Sequence, residues 1–288
     1  MILVAGGSGR LGRRLVQRLR KRGLPVRVLT RDPARTASLG GVEIAVGDVR
    51  EPLSLRPAVE GVDVVVSAVH GFAGPGNVSP RTVDRDGNAN LIDAARAAGA
   101  DVVLMSVLDP TADHPMELFR MKHAAEQHLL VSGVRSTVVA ATAFGELWIE
   151  LLERTARRSG RPLVFGRGNN PINFVSVDDV AWLVERVIID PSTRGRTLQI
   201  GGPDNLTFNQ LAAAIQTRAG RASPPRHVPP AVLQLMAHTV GRIKPELGRQ
   251  IRAALAMDRI DLTFDPSAIR LAYPDLPVTT VADVLSAG

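Results

Sequence analysis

Cysteine is absent from this sequence of 288 residues, which excludes disulfides, iron–sulfur clusters, thiolate zinc sites and cysteine nucleophiles. Aromatic residues make up only 3%, with a single tyrosine. The sequence also lacks any run of about 18 apolar residues that would predict a membrane span. No basic leader with a cleavage site precedes the first apolar run. We therefore expect a cytoplasmic protein that has no membrane partner.

Acidic residues are fewer than basic ones, 28 aspartate and glutamate against 35 lysine and arginine, so the formal net charge is +7 and the pI is near 10.9. The arginines are scattered over predicted helix faces and loops with few aromatic residues among them, so no specific nucleic-acid partner is expected. The six histidines show no metal-ligand spacing, and no metal is expected. Neither a P-loop nor a G-x-S-x-G nucleophile elbow occurs.

The first 31 residues have the pattern of strand, glycine-rich turn, helix and strand. An apolar run from Met1 to Ala5 leads into segment 6–12 (GGSGRLG), helical periodicity follows, and a second apolar run spans 26–30. Glycine allows a phosphate to approach the backbone closely, and the free N–H groups at a helix start favour an anion. A tight turn that only packs the helix on the sheet is the alternative. The β-α-β setting favours a bound dinucleotide.

The end of the second predicted strand, Thr30-Arg31-Asp32-Pro33, lies where a side chain meets the adenosine ribose. Arginine offers a planar fork to a 2′-phosphate, whereas a carboxylate would accept hydrogen bonds from a free 2′-hydroxyl. We therefore expect NADP(H), selected by Arg31. Asp32 keeps NAD open, although Pro33 indicates that Asp32 begins the next helix. An ordinary solvated arginine is the alternative for Arg31.

Strands and helices alternate along the rest of the chain, which predicts an α/β fold with a doubly wound parallel Rossmann sheet. Further strands are predicted over 42–46, 63–68 and 102–106, and helices over 52–59, 81–98 and 115–132. The predicted nucleotide-binding domain covers residues 1–145, with residues 172–203 returning to the sheet. The predicted substrate or lid region, which is mostly helical, covers 146–171 and 204–288. Within it, the proline-punctuated segment 221–258 is expected to be a lid or a homodimer surface.

The spacing of Gly6, Gly9 and Gly12, G-x-x-G-x-x-G, resembles the short-chain dehydrogenase/reductase superfamily. In that superfamily a lysine holds the nicotinamide ribose and lowers the pKa of a tyrosine four residues earlier, which exchanges a proton with the substrate. Lys122 matches the lysine, but Leu118 stands at the tyrosine position. The resemblance therefore narrows to the atypical NmrA-like group. That group includes NADPH-dependent quinone and azo reductases, isoflavone-type reductases, and regulators that bind NADP without turnover.

Three later segments, 122–139, 173–181 and 198–209, are similar to the same group, so the resemblance covers about residues 1–220. Ala140-Ala141 departs from the group, where Arg-Pro is common. In the second segment, Asp178 is placed to cap the helix that follows.

The resemblance implies that Lys122 fixes the nicotinamide ribose; an exposed ion pair with Glu126 is the alternative. Ser106, which is alternatively a strand-end cap, and His70 are the other predicted catalytic residues. His114 is a further candidate proton donor, and each of the two histidines is alternatively an ordinary loop residue. Asp48 is expected to bind the adenine amino group or to cap the next helix. The predicted cofactor contacts are Gly6, Ser8, Gly9, Arg10, Leu11, Gly12, Arg31, Asp48, Val49, Ala68, Val69, Lys122 and Ala141. The predicted wall for a planar substrate, each residue of which is alternatively plain core, consists of Phe72, Met116, Phe144, Trp148 and Phe174.

Three functions fit this pattern. The first is an NADPH-dependent oxidoreductase that transfers hydride to an apolar small molecule, an aromatic, quinone or enone acceptor. The second is a binding protein that senses the NADP⁺/NADPH ratio, which the missing tyrosine and Ala140-Ala141 favour. The third is a non-redox enzyme on the same fold.

Overall fold

The computed structural model describes residues 1–287. Its strands are β1 (Ile2–Ala5), β2 (Val26–Thr30), β3 (Glu43–Val46), β4 (Val64–Ser67), β5 (Asp101–Val107), β6 (Ser136–Ala141), β7 (Ala143–Phe144), β8 (Leu163–Phe165), β9 (Pro171–Val175), β10 (Thr197–Ile200), β11 (Asn205–Thr207) and β12 (Arg226–Val228). Its helices are α1 (Arg10–Lys21), α2 (Pro52–Val59), α3 (Asp86–Ala98), α4 (Glu117–Ser132), α5 (Gly145–Ser159), α6 (Val177–Ile189), α7 (Phe208–Arg218), α8 (Pro230–Ile243), α9 (Pro245–Met257), α10 (Ser267–Ala272) and α11 (Val281–Ala287). Short 3₁₀ turns cover Pro33–Thr36 and Pro191–Thr193, and a π-helical turn covers Pro80–Arg85.

The chain divides into two compact units. The first unit comprises residues 1–140 and 180–199, and the second comprises residues 141–179 and those from 200 onward. Within residues 1–287, we find no helix with both the length and the apolar character needed to cross a membrane.

A seven-stranded sheet, in the order β10-β6-β5-β4-β1-β2-β3, forms the centre of the first unit. Every pairing from β3 through β2, β1 and β4 to β5 is parallel. The strand order reverses between β1 and β4, which creates the crevice at the carboxyl ends where open α/β sheets bind ligands. The predicted doubly wound Rossmann fold is therefore confirmed.

The buried stripe of α1 shows why this first unit folds as predicted. Leu11, Leu15, Val16 and Leu19 recur at helical spacing, and all four are buried. The opposite face is basic, and its Arg18 and Arg22 both form ion pairs with the buried Glu185 carboxylate of α6.

The second unit contains two small sheets and most of the short helices. One sheet has the order β11-β9-β7, and the other pairs β12 with β8. In the returning segment 172–203, β10 joins the large sheet, whereas β9 pairs with β11 and β7 instead. Helices α8 and α9 form a hairpin, in which Gly241 and Gly248 lie so close that added methyl groups would collide.

Two helix starts differ from the sequence prediction. The helix predicted from residue 81 begins as the π-helical turn and continues as α3. At the start of α6, Ser176 Oγ accepts a hydrogen bond from the Asp178 N–H, and Glu146 Oε1 accepts one from the Val177 N–H. Ser176 and Glu146 therefore satisfy N–H groups of the first turn, which the sequence prediction did not include, and the capping role of Asp178 stays a prediction.

Candidate functional site

In the glycine loop between β1 and α1, backbone atoms of neighbouring segments lie in close contact with one another. Gly6 has a φ of +88°, and a Cβ there would lie 2.5 Å from the carbonyl oxygen of Ala68, just after β4. A Cβ on Gly12 would overlap the Gly6 carbonyl oxygen and lie 2.6 Å from Gly7 Cα. Glycine is therefore required at both positions, and the loop leaves its backbone accessible to a ligand.

The start of α1 supplies the hydrogen-bond donors of this loop. Gly9 is the N-cap residue, and no side chain caps it. The N–H groups of the first turn have no acceptor within the helix, so they suit an anion. Arg13, on the same turn, is engaged elsewhere: it donates hydrogen bonds to the carbonyl oxygens of Ser8 and Arg35 and to Ser38 Oγ. Arg13 thereby holds the loop against the 3₁₀ turn that follows β2.

Replacing Gly12 by alanine should abolish cofactor binding, because the added methyl group would push α1 away from the loop. We expect NADPH affinity to fall by at least about 100-fold, equivalent to about 2.7 kcal/mol. Isothermal titration calorimetry measures the affinity. Gly40→Ala is the matched control, since nothing lies within 4 Å of a Cβ at that position. Equal affinities of the two variants would contradict the role of the loop.

Of the two charged residues that follow β2, Asp32 has a partner within the protein and Arg31 does not share it. The Asp32 carboxylate accepts a hydrogen bond from the Ala34 N–H and caps the 3₁₀ turn, which confirms that Asp32 begins the next helical segment. The Arg31 side chain is exposed, and within residues 1–287 its guanidinium donates no hydrogen bond and forms no ion pair. Arg31 is therefore available to a phosphate, whereas Asp32 is occupied.

Asp48, after β3, is held by Arg50. The Arg50 guanidinium donates to both carboxylate oxygens of Asp48, at 2.5 to 3.1 Å. This hydrogen bonding lowers the pKa of Asp48 despite its partial burial. Because Glu51 occupies the N-cap position of α2, Asp48 does not cap that helix. Its predicted contact with adenine stays a prediction.

Lys122 of α4 is buried, with 4% of its surface exposed. Its ammonium donates to the carbonyl oxygens of Met105 at 3.0 Å and Val69 at 3.4 Å, at the carboxyl ends of β5 and β4. The ammonium also lies 3.2 Å from Asp84 Oδ1. The alternative of an exposed ion pair with Glu126 is therefore wrong, because Lys122 points into the crevice side of the sheet.

Asp84, in the π-helical turn, is a residue that the sequence analysis missed. It is completely buried; its Oδ2 accepts a hydrogen bond from the Gly71 N–H, and its Oδ1 lies 3.5 Å from His70 Nδ1. Burial would raise the pKa of Asp84, but the charge of Lys122 and the interactions with His70 and Gly71 hold it below its usual value. One signal was present: Asp84 lies on the same helical stripe as buried Asn88 and Leu91.

Ser106, near the end of β5, donates a hydrogen bond to Glu126 Oε1. Burial raises the pKa of Glu126, and the hydrogen bond from Ser106 opposes this rise only in part. The hydroxyl hydrogen of Ser106 is therefore directed at Glu126, one turn along α4 from Lys122.

The two loop histidines have different surroundings. His70 is half exposed, stacks on Phe72 and faces Asp84. His114 stacks on Phe119, and its Nδ1 accepts a hydrogen bond from the Met116 N–H. Burial lowers the pKa of His114, which favours the neutral ring and makes His114 the weaker acid catalyst. His70 is the better candidate of the two.

Several predicted contact residues belong to the packed interior. The side chains of Leu11, Val49 and Ala141 are buried, and Val49 lies where a Cβ on Gly87 would collide with it. Backbone atoms of Ala68 and Val69 line the same edge of the sheet as Gly6 and Lys122. Among the described residues, no cluster of His, Asp and Glu suits a metal ion.

The predicted substrate wall is divided between the two units. Phe72 and Met116 belong to the first unit, and Phe144, Trp148 and Phe174 belong to the second. Trp148 and Phe174 meet the ring of Phe208 edge-on, at centroid distances of 4.9 and 5.9 Å. With 2% of its surface exposed, Phe174 is a core residue of the second unit. The wall stays a prediction.

The sequence is similar to those of known proteins over most of its length. The model of the NmrA-like family matches residues 1–266. NAD(P)H azoreductase of Xenophilus azovorans is 29% identical over 250 residues, which cover 85% of this chain and 82% of that protein. The photosystem II assembly factor Ycf39 of Synechocystis sp. is 28% identical over 244 residues, which cover 82% of this chain and 72% of that protein.

Solved structures share the fold at lower sequence identity. The NADPH-dependent quinone oxidoreductase QOR2 of Escherichia coli, complexed with NADPH, superposes with a TM-score of 0.81 at 21% identity and covers 100% of this chain and 99% of its own. Triphenylmethane reductase of Citrobacter sp., complexed with NADP(H), superposes with a TM-score of 0.79 at 19% identity and covers 100% of this chain and 99% of its own.

Proposed function

This chain belongs to the NmrA-like family, and we propose that it is an NADPH-dependent oxidoreductase that reduces an apolar aromatic, quinone or enone acceptor. The observation that carries the proposal is the position of the Lys122 ammonium. It is buried at the carboxyl ends of β4 and β5, on the edge of the sheet that also carries the glycine loop. A buried cation at this edge suits the polar ribose of a dinucleotide.

The residues of the first unit fit NADPH in three respects. The loop of Gly6, Gly9 and Gly12 presents backbone N–H groups to a pyrophosphate. Arg31 offers an unpaired guanidinium to a 2′-phosphate, and Lys122 offers its ammonium to the nicotinamide ribose. When bound, NADPH supplies a hydride.

The choice of acceptor is supported by the names of the relatives and by the composition of this chain. Relatives in sequence or fold are named as azo, quinone and triphenylmethane reductases. In this chain, the ring of Phe72, which stacks on His70 within the first unit, supplies apolar surface for such an acceptor. Lys122 binds and orients, so positioning accounts for much of the rate.

A second candidate function is a sensor of the NADP⁺/NADPH ratio that does not turn over. Leu118 stands where a catalytic tyrosine would be expected, and Ala140-Ala141 departs from the group pattern. The similarity to an assembly factor, Ycf39, agrees with this candidate.

The test is NADPH oxidation, followed by absorbance, with a panel of quinones, azo dyes and enones. We expect oxidation with at least one class and none with Lys122→Met. If NADPH binds but no acceptor accelerates its oxidation, the oxidoreductase is contradicted and the sensor is favoured. A sensor requires different affinities for NADP⁺ and NADPH, so equal affinities would exclude it.

A further inference from the structure

Asp84 lies between two of the three predicted catalytic residues, Lys122 and His70. Its carboxylate is completely buried, and its Oδ1 lies 3.2 Å from Lys122 Nζ and 3.5 Å from His70 Nδ1. No hydrogen bond of ordinary geometry reaches this oxygen, whereas Oδ2 is satisfied by the Gly71 N–H at 2.8 Å. A buried carboxylate is costly unless neighbouring groups compensate its charge, and the groups that face this oxygen are the Lys122 ammonium and the His70 ring.

We infer that Asp84 is a positioning residue, which orients His70 so that His70 donates the proton that completes reduction of the acceptor. This inference rests on the proposed function. It names the proton donor that replaces the tyrosine missing at Leu118.

Lys122 and His70 differ in the polar partners that each would keep without Asp84. Lys122 is held by the Met105 and Val69 carbonyl oxygens as well as by Asp84. Within the described part of the chain, the His70 ring has no polar partner besides Asp84, and its other contact is the stacked ring of Phe72. Removing the carboxylate therefore takes the counter-charge from Lys122 but leaves its ammonium two carbonyl acceptors, whereas it leaves the His70 ring without a polar partner.

The orientation of the His70 ring toward Asp84 determines which ring nitrogen carries the hydrogen when His70 is neutral. The carboxylate faces Nδ1, so Nδ1 carries the hydrogen and Nε2 is left as the acceptor in the neutral ring. In the protonated ring, Nε2–H is the bond that breaks when the proton leaves. With nearly half of its side chain exposed, His70 regains a proton from water after each turnover.

The reaction balances with one proton from His70. The acceptor gains two electrons and one hydrogen as hydride, which leaves the nicotinamide oxidised. It then forms its second new bond to hydrogen with the proton from His70 Nε2, and the imidazole becomes neutral. The charged groups that face this ring are Asp84 of the π-helical turn and, through Asp84, Lys122 of α4.

The first experiment records the ¹H–¹⁵N spectrum of the histidine side chains in the wild-type protein without cofactor. The signal of His70 is identified by its loss in His70→Gln. We expect neutral His70 to carry its hydrogen on Nδ1, and Asp84→Asn to shift it toward Nε2. An Nε2–H form in the wild type would overturn the inference, whether or not Asp84→Asn folds.

The second experiment compares kcat and KM across pH for the wild type, His70→Gln and Asp84→Asn, with an acceptor that the wild type reduces. We expect kcat to fall by about 100-fold in His70→Gln and about 10-fold in Asp84→Asn, with KM for NADPH little changed. The dependence of kcat on pH should differ between the wild type and His70→Gln. Wild-type kcat and pH profile in His70→Gln would overturn the inference and leave the oxidoreductase intact. If the wild type reduces no acceptor, the proposed function fails. The ¹H–¹⁵N spectrum still shows in that case whether Asp84 orients His70.

Discussion

Replacing Lys122 by methionine should destabilise the protein by about 3–5 kcal/mol and abolish NADPH-dependent reduction. The reason is that Asp84 is completely buried and Lys122 is its counter-charge, at 3.2 Å. Without the ammonium, the Asp84 carboxylate stays charged in the interior or takes up a proton, and either outcome costs folding free energy. Urea denaturation measures the change.

The double variant Asp84→Asn/Lys122→Met separates stability from catalysis. It removes both charges, so most of the lost stability should return, whereas turnover should stay absent because the ribose has lost its ammonium. Lys21→Met is the matched control: Lys21 is exposed near the end of α1, and its replacement should change stability by no more than about 0.5 kcal/mol. If Lys122→Met were as stable as Lys21→Met, the buried ion pair would not have the role assigned to it.

Replacing Arg31 by alanine should weaken NADPH binding by about 10- to 100-fold and leave NADH binding unchanged. The estimate follows from a charge-assisted hydrogen bond of about 1.5–3 kcal/mol between a guanidinium and a 2′-phosphate. The Arg31 side chain is exposed and donates no hydrogen bond within residues 1–287, so its removal costs the protein only a charge interaction with Asp48. Titration calorimetry with both coenzymes gives the two affinities.

The control for Arg31 is Arg56→Ala, which removes one exposed positive charge from α2 in the same unit. General attraction of the basic protein for a phosphorylated ligand would make the two variants equal. A loss specific to Arg31→Ala, and specific to NADPH, would identify Arg31 as the selecting group.

The parts of the fold that the sequence predicted are those built from local pattern. Segment 26–30 is a strand and segment 52–59 a helix as predicted, because each pattern is bounded by proline or glycine. Asp32 caps the 3₁₀ turn as predicted, since its partner is only two residues away. Local spacing is sufficient for all of these.

The parts that the sequence did not predict depend on contacts between distant residues. Asp84 meets Lys122 across 38 residues, and the pairing exists only because the π-helical turn packs against α4. Segment 172–203 was expected to return to the large sheet, but only its β10 does so, and β9 pairs with β7 and β11 instead. The periodicity of apolar residues specifies which face of a helix or strand is buried, but it does not specify the element that packs against that face.

The central claim is that the first unit binds a phosphorylated nicotinamide nucleotide through the glycine loop and Arg31. Titration calorimetry of the wild-type protein with NADPH and with NADH tests it most directly. The account predicts saturable binding of NADPH, tighter than that of NADH by about tenfold or more, which corresponds to at least about 1.4 kcal/mol. If neither coenzyme bound, or if the two bound with equal affinity, the claim would be contradicted.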